Sequence, residues 1–135
     1  MEKVIHSLQN KEMGGKMSNV LLIGDNNEIS RLLSRILTKQ GFYVQVITDN
    51  NALPDRKEDL IIFDINTSVS PEFCFSIYDR ILKMNSEAKI LWVSSNENDE
   101  IRALEAGADD WIKKPFHMDV FLARIRRLCR KKIII

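Results

Sequence analysis

Short apolar runs and helical stripes alternate along most of the chain. Asn19 to Gly24 (NVLLIG) is almost continuously apolar, the pattern of a strand covered on both faces. Ile29, Leu32, Leu33, Ile36 and Leu37 follow at spacings that gather them on one stripe of a helix. Gly41 stands just past that stripe, where a left-handed residue commonly ends a helix. Phe42 to Thr48 (FYVQVIT) predicts a second strand, Leu60 to Phe63 (LIIF) a third and Ile90 to Val93 (ILWV) a fourth. Phe73, Ile77, Ile81 and Met84 mark a helix between the third and fourth strands; Ile101 and Leu104 mark another, closed by Gly107. Trp111-Ile112 predicts a short fifth strand, and Leu122, Ile125 and Leu128 a final helix. The stretch from Thr48 to Asp59 is short and broken by Pro54, so a turn or two of helix at most is expected there. Strands alternating with helices predict parallel βαβ units in an α/β sandwich.

The two ends fall outside this pattern. Residues 1–17 carry no sustained apolar period and contain Gly14-Gly15, so they are expected to be a disordered leader before a domain at 18–132. Residues 133–135, three isoleucines after a basic helix, are expected to be a frayed tail. A length of 135 residues suits one domain, and 44% hydrophobic with 29% charged residues is an ordinary globular balance. A net charge of +1 argues against a whole-domain basic footprint for nucleic acid. The apolar runs are far shorter than the roughly 20 residues a membrane helix needs, and the N-terminus lacks the apolar core of a secretory signal. A cytoplasmic protein without membrane contact is expected. Cys74 and Cys129 have no C-x-x-C spacing, and His6 and His117 stand alone, so none of them suggests a metal or redox site.

In an open parallel sheet, ligands bind beyond the carboxyl ends of the strands. Asp25 follows the first strand, Asp64 the third, Ser94 ends the fourth and Lys114 follows the fifth. Two carboxylates, a hydroxyl and an ammonium converging there suit phosphoryl transfer. One carboxylate attacks phosphorus, the other helps hold a hard divalent cation, and the hydroxyl and ammonium take the remaining phosphoryl oxygens. Each residue also has a plainer reading. Asp25 fits a helix N-cap, Ser94 an ordinary strand end, Lys114 a solvated lysine and Trp111 edge-strand packing. The basic run Arg124, Arg126, Arg127, Arg130, Lys131 and Lys132 fits a solvated helix face.

Four stretches, VLLIGDN (20–26), DLIIFDIN (59–66), KILWVSS (89–95) and ALEAGADDWIKKPF (103–116), resemble the receiver domain of two-component response regulators. The last helix, FLARIRRLCR, is similar to receivers that precede winged-helix DNA-binding domains. The resemblance implies a flavodoxin-like three-layer sandwich with a five-stranded parallel sheet of order 2-1-3-4-5. It implies that Asp64 is the phosphoacceptor, fed by a sensor histidine kinase. Mg²⁺ would be bound, weakly, by Asp25, Asp64 and the backbone carbonyl of Asn66. Ser94 and Trp111 would be the switch pair, and Lys114 would contact the phosphoryl group from a cis Lys114-Pro115 peptide.

Departures from the family pattern are equally visible. Gly24 stands where an acidic residue is usual, Ser68 where Pro is usual and Glu72 where Gly is usual; the loop after Ser94 is short. Receivers of this type pair through the helix before the fifth strand, that strand and the last helix. The resemblance therefore implies a homodimer with acids Glu105, Asp109 and Asp110 facing Arg124 and Arg126, one family ion pair being lost at Glu100 and Val120. Nucleic acid would be reached only through an output domain. Two other readings remain open: a pseudo-receiver that works as an interaction module without phosphorylation, and a phosphohydrolase. The latter rests on Asp64-Ile65-Asn66-Thr67, which lacks the second carboxylate such a nucleophile motif needs.

Overall fold

The computed structural model describes residues 18–24, 28–47, 57–64, 71–84 and 87–130, with backbone alone at 71–75, 78 and 82. In chain order the elements are β1 (Asn19–Ile23), α1 (Glu28–Lys39), β2 (Tyr43–Ile47), β3 (Leu60–Asp64), α2 (Pro71–Met84), β4 (Lys89–Ser94), α3 (Asn98–Glu105), β5 (Asp110–Lys113) and α4 (Met118–Cys129). The five strands form one parallel sheet of order β2-β1-β3-β4-β5. The expected leader at 1–17, the tail at 133–135 and the short helix between β2 and β3 lie outside the described residues.

Register makes the sheet a two-faced core. One row runs Val46, Leu22, Ile62, Leu91 and Asp110; the next runs Ile47, Ile23, Phe63, Trp92 and Trp111. Because side chains alternate along a strand, Leu21, Ile23, Ile61, Phe63, Ile90 and Trp92 share one cluster with Ile77 and Ile81 of α2 and Ala103 of α3. Val20, Leu22, Leu60, Ile62, Leu91 and Val93 share the other with Leu33 and Leu37 of α1 and Phe121, Leu122 and Ile125 of α4. Strands β1, β3 and β4 are buried on both faces, which is why they read as unbroken apolar runs.

Helix ends follow their signals. Gly41 and Gly107 have φ of 98° and 97°, the left-handed region that favours glycine. Phe42 N–H donates to Leu37 C=O and Ala108 N–H to Ala103 C=O, closing two Schellman turns. Two aspartates align the amino ends of the strands. Asp59 accepts from Asn19 N–H at 2.8 Å while its own N–H donates to Asn19 C=O. Asp109 makes the same reciprocal pair with Ile90, accepting at 2.8 Å.

Burial differs from the apolar pattern in two helices. Ile29 and Leu32 are 48% and 49% exposed, since only the inner edge of the wide α1 stripe reaches the sheet. Ile101 and Leu104, which mark α3 in the sequence, are 62% and 52% exposed; Ala103 is the residue that faces the core. A small side chain lets that short helix lie close to the sheet and turns its larger apolar residues outward.

Candidate functional site at the carboxyl ends of the strands

Two of the buried strands carry a buried polar residue at their carboxyl ends. Asp64 closes β3 after four apolar residues and is 1% exposed; Ser94 closes β4 and is also 1% exposed. Lys114 follows β5 immediately. Its N–H donates to the Ser94 carbonyl at 2.8 Å, which carries the β4–β5 pairing one step past the strands. Its ammonium forms an ion pair with Oδ1 of Asp64, and the Lys114–Pro115 peptide is cis. An ionised carboxylate with a fully buried side chain needs such a partner, because desolvating an unpaired charge costs several kcal/mol in order of magnitude.

Ser94 is engaged from the other side by Trp111. The indole Nε1–H donates to Ser94 Oγ at 2.9 Å, so the hydroxyl acts as acceptor toward Trp111 and retains its own proton for donation. It points that proton at the Asn96 carbonyl over a long 3.4 Å. Next to this pair, Lys113 and Glu97 meet at 2.6 Å on the surface, and the hydrogen bond and charge of Lys113 hold the Glu97 carboxyl below its usual range.

On the β1 side the described neighbours are neutral. Gly24 has no positive φ, and a Cβ there would lie 3.5 Å from Asp64 Cβ and 3.0 Å from Ser30 Oγ. Ser30, fully buried in α1, donates to Oδ2 of Asp64 at 3.4 Å. Sequence reasoning missed Ser30. The available signal was a lone hydroxyl on the inward positions 30, 33 and 37, at the turn of α1 nearest the strand ends. Asp25 and Asn66 lie outside the described residues. Among the described residues no group of three or more His, Cys, Asp or Glu could hold a metal ion, so Asp64 is the only expected Mg²⁺ ligand whose placement is described.

The residues of the expected pairing face are distributed unevenly. Asp110 is held within the chain by Arg124, at 2.9 and 3.1 Å, and by Arg127 at 3.0 Å. Asp109 is occupied by Ile90, while Glu105 is exposed at the end of α3. Arg126 reaches Gln40 at 2.6 Å, beyond the end of α1. Positions two apart on a helix do not share a face, so Arg124 and Arg126 diverge. Exposed Ile101, Leu104 and Val120 supply apolar surface on α3 and α4. A shallow groove lined by Asp119, Val120, Ala123, Arg124 and Arg127 runs along α4. Burial pushes the Cys129 thiol up to about 12, with Asp59 adding to the shift and a Ser18 hydrogen bond opposing it; this is no activated nucleophile.

Comparison with known proteins agrees with this geometry. The response regulator receiver domain model matches residues 20–126. The transcriptional regulatory protein YxdJ of Bacillus subtilis is 32% identical over 121 residues, 85% of this chain and 52% of that protein. The chain spans about half the length of the curated relatives it matches. Among solved structures, the non-phosphorylated HemR receiver domain of Leptospira biflexa superposes with a TM-score of 0.70 at 22% identity, covering 87% of this chain and 98% of that one. The chemotaxis response regulator CheY4 of Vibrio cholerae gives 0.70 at 24% identity, covering 84% and 99%. With a receiver sheet, an acidic residue at the end of β3 faced by a lysine after β5, and a family match over most of its length, the chain belongs to the response regulator receiver domain family.

Proposed function

We propose that the chain is a phosphorylation-controlled switch in which Asp64 accepts a phosphoryl group from a sensor histidine kinase. The observation that carries this reading is the meeting of Asp64, Lys114 and Ser94 at three adjoining strand ends, with both Asp64 and Ser94 buried. In that setting Lys114 offsets the carboxylate charge before transfer and the phosphoryl charge after it. Ser94 keeps a proton for a phosphoryl oxygen, and Trp111 is bonded to the same hydroxyl, so a move by Ser94 disturbs Trp111 on β5. The switch thus leads from the phosphoacceptor to the surface of α3, β5 and α4.

The donor chemistry suits a hard divalent cation. Asp64, the Asp25 carboxylate and the Asn66 backbone carbonyl would hold Mg²⁺, with water completing its shell. Bound there, the cation would neutralise charge on the phosphoryl oxygens. Gly24 adds no carboxylate and Ser30 brings only a neutral oxygen beside Asp64, so the site is weak.

The output surface is a homodimer face made by α3, β5 and α4, including Glu105, Asp109, Asp110, Arg124 and Arg126. Since Arg124 and Arg127 already clamp Asp110 within the chain, exposed Ile101, Leu104 and Val120 carry more of the contact than ion pairs do. Control of transcription, named for the curated relatives, would require an output domain besides the receiver. No described helix is long and apolar enough to cross a membrane, and we assign the chain to the cytoplasm.

Intact-protein mass spectrometry after incubation with Mg²⁺ and acetyl phosphate tests the switch. One phosphoryl adduct is expected, absent in Asp64→Asn. A folded protein that takes no adduct from any donor leaves the interaction-module reading. Leu104→Glu and Val120→Glu, at exposed positions, are expected to sediment as monomers where the unaltered protein dimerises. Identical sedimentation of all three places the dimer contact elsewhere.

A further inference from the structure

We propose that Ser30 is a positioning residue of the phosphoacceptor site, holding one oxygen of Asp64 while Lys114 holds the other. The inference rests on Asp64 being the phosphoacceptor. It starts from a polar residue in an apolar place. Ser30, Leu33 and Leu37 are the buried residues of α1, and the latter two belong to a core cluster of aliphatic and aromatic side chains. A hydroxyl on such a stripe costs stability unless it is hydrogen-bonded, and an alanine would fit the same space without that cost.

The position gives the hydroxyl something to do. Lys114 Nζ is paired with Oδ1 of Asp64, and Ser30 Oγ lies 3.4 Å from Oδ2. The carboxylate is therefore met from opposite sides, by the charge of Lys114 at Oδ1 and by the α1 hydroxyl at Oδ2. Two such contacts restrict rotation of the carboxylate about its Cβ–Cγ bond, and a reactant held in one orientation reacts faster than one that samples many.

Gly24 completes the arrangement. Its backbone runs between α1 and β3 closely enough that a Cβ would approach Ser30 Oγ to 3.0 Å. That distance is tighter than ordinary contact, so a side chain at position 24 would need Ser30 Oγ to give way by a few tenths of an ångström. The absence of a side chain at 24 and the presence of a hydroxyl at 30 are thus one feature of the site. Ser30 comes to Asp64 through space that position 24 leaves empty.

In the transfer step a carboxylate oxygen of Asp64 supplies the electron pair for the new O–P bond. The donor's P–O bond breaks, and its electron pair leaves with acetate when acetyl phosphate is the donor. Ser30 gains and loses no proton; it orients the carboxylate and acts through it.

The test measures the rate of adduct formation from acetyl phosphate, at several donor concentrations and fixed Mg²⁺, in four proteins. These are the unaltered chain, Asp64→Ala, Ser30→Ala, and Ser30→Ala combined with Gly24→Ser. Ser30→Ala is expected to lower the maximal rate about three- to tenfold, the equivalent of one modest hydrogen bond, with the half-saturating donor concentration unchanged. The double variant moves the hydroxyl to position 24, whose Cβ would lie 3.7 Å from Oδ2 of Asp64, and removes the oxygen that blocks it. Recovery to within about twofold is expected. A packing role for Ser30 predicts no such recovery. Thermal melting confirms that each variant is folded at the assay temperature. An unaltered maximal rate in Ser30→Ala overturns the inference while phosphorylation of Asp64 stands. A slowed Ser30→Ala that the double variant leaves slow also overturns it. Absence of any adduct on the unaltered chain, or an adduct that survives Asp64→Ala, overturns the phosphoacceptor reading and this inference with it.

Discussion

The two sides of Asp64 differ in charge and in origin. Toward β4 and β5 it meets the Lys114 cation, and the neighbouring end of β4 carries a buried hydroxyl bonded to an indole. Toward β1 and α1 it meets a glycine and a neutral serine. The first side keeps the serine and lysine of the family pattern, with Trp111 where Tyr or Phe is usual; the second departs from it at position 24. The contrast separates two tasks that a phosphoacceptor site combines. In the proposed switch, stabilising a phosphorylated carboxylate and relaying its presence would fall to the β4–β5 side. Gathering a cation would fall to the β1 side, where the described neighbours carry no charge.

The sharpest way to break this contrast is to neutralise the charged side. Lys114→Met leaves the Asp64 carboxylate buried without its cation. A drop in unfolding free energy of about 2 kcal/mol is expected in urea, less than a wholly buried pair would lose because water reaches part of the lysine. Phosphorylation is expected to slow by roughly a hundredfold, the order seen when one preorganised donor is removed from developing charge. Adding Asp64→Asn to Lys114→Met is expected to restore most of the stability, since the charge left unpaired is then gone. If the double variant is no more stable than Lys114→Met, the ion pair is not what holds Asp64 in place.

The opposite experiment charges the neutral side. Gly24→Asp puts a second carboxylate beside Asp64 and forces Ser30 Oγ away, since even a Cβ there approaches it to 3.0 Å. Without metal the like charges are expected to lower stability by about 1 kcal/mol. With Mg²⁺ the added charge is expected to tighten binding roughly tenfold, so that millimolar Mg²⁺ raises the melting temperature of the variant more than that of the unaltered protein. A melting temperature equally insensitive to Mg²⁺ in both would mean that position 24 does not face the cation.

How much of this was legible in the sequence follows the same division. The strands and the positions of Asp64, Ser94 and Lys114 at their ends were readable because buried parallel strands leave continuous apolar runs, whereas the strand order came only with the resemblance to receivers. The β1 side was legible as a gap at Gly24 and as Asp25, which lies outside the described residues. Ser30 was missed because a serine in an amphipathic helix normally faces solvent, and its spacing from Leu33 and Leu37 was the one sign that it turns inward. Charge placement on the pairing face was legible as composition and not as geometry. Asp109 is spent on Ile90, Asp110 on two arginines and Arg126 on Gln40, because each found a nearer partner inside the chain. Apolarity misled in α3 as well, where alanine faces the sheet and the larger residues face outward.

The smallest expected effect concerns Trp111, where the charged side passes into the surface. Trp111→Phe keeps an aromatic ring at the edge of the sheet and removes the 2.9 Å hydrogen bond to Ser94. The loss in stability is expected to be about 1 kcal/mol, the usual net worth of one neutral hydrogen bond, because Ser94 retains its contact with Asn96. The variant also separates the two tryptophans. Trp92 is 2% exposed and packs against Phe63 inside the core with the rings tilted by 39°, so its emission should not respond to events at the strand ends. Trp111 is half-buried and bonded to the hydroxyl that a phosphoryl group would attract. Addition of acetyl phosphate and Mg²⁺ is therefore expected to change the emission of the unaltered protein and to leave Trp111→Phe and Asp64→Asn unchanged. A response that persists in Trp111→Phe would come from Trp92. It would mean that phosphorylation is felt across the core beneath β3 and β4 and not only through the Ser94–Trp111 bond.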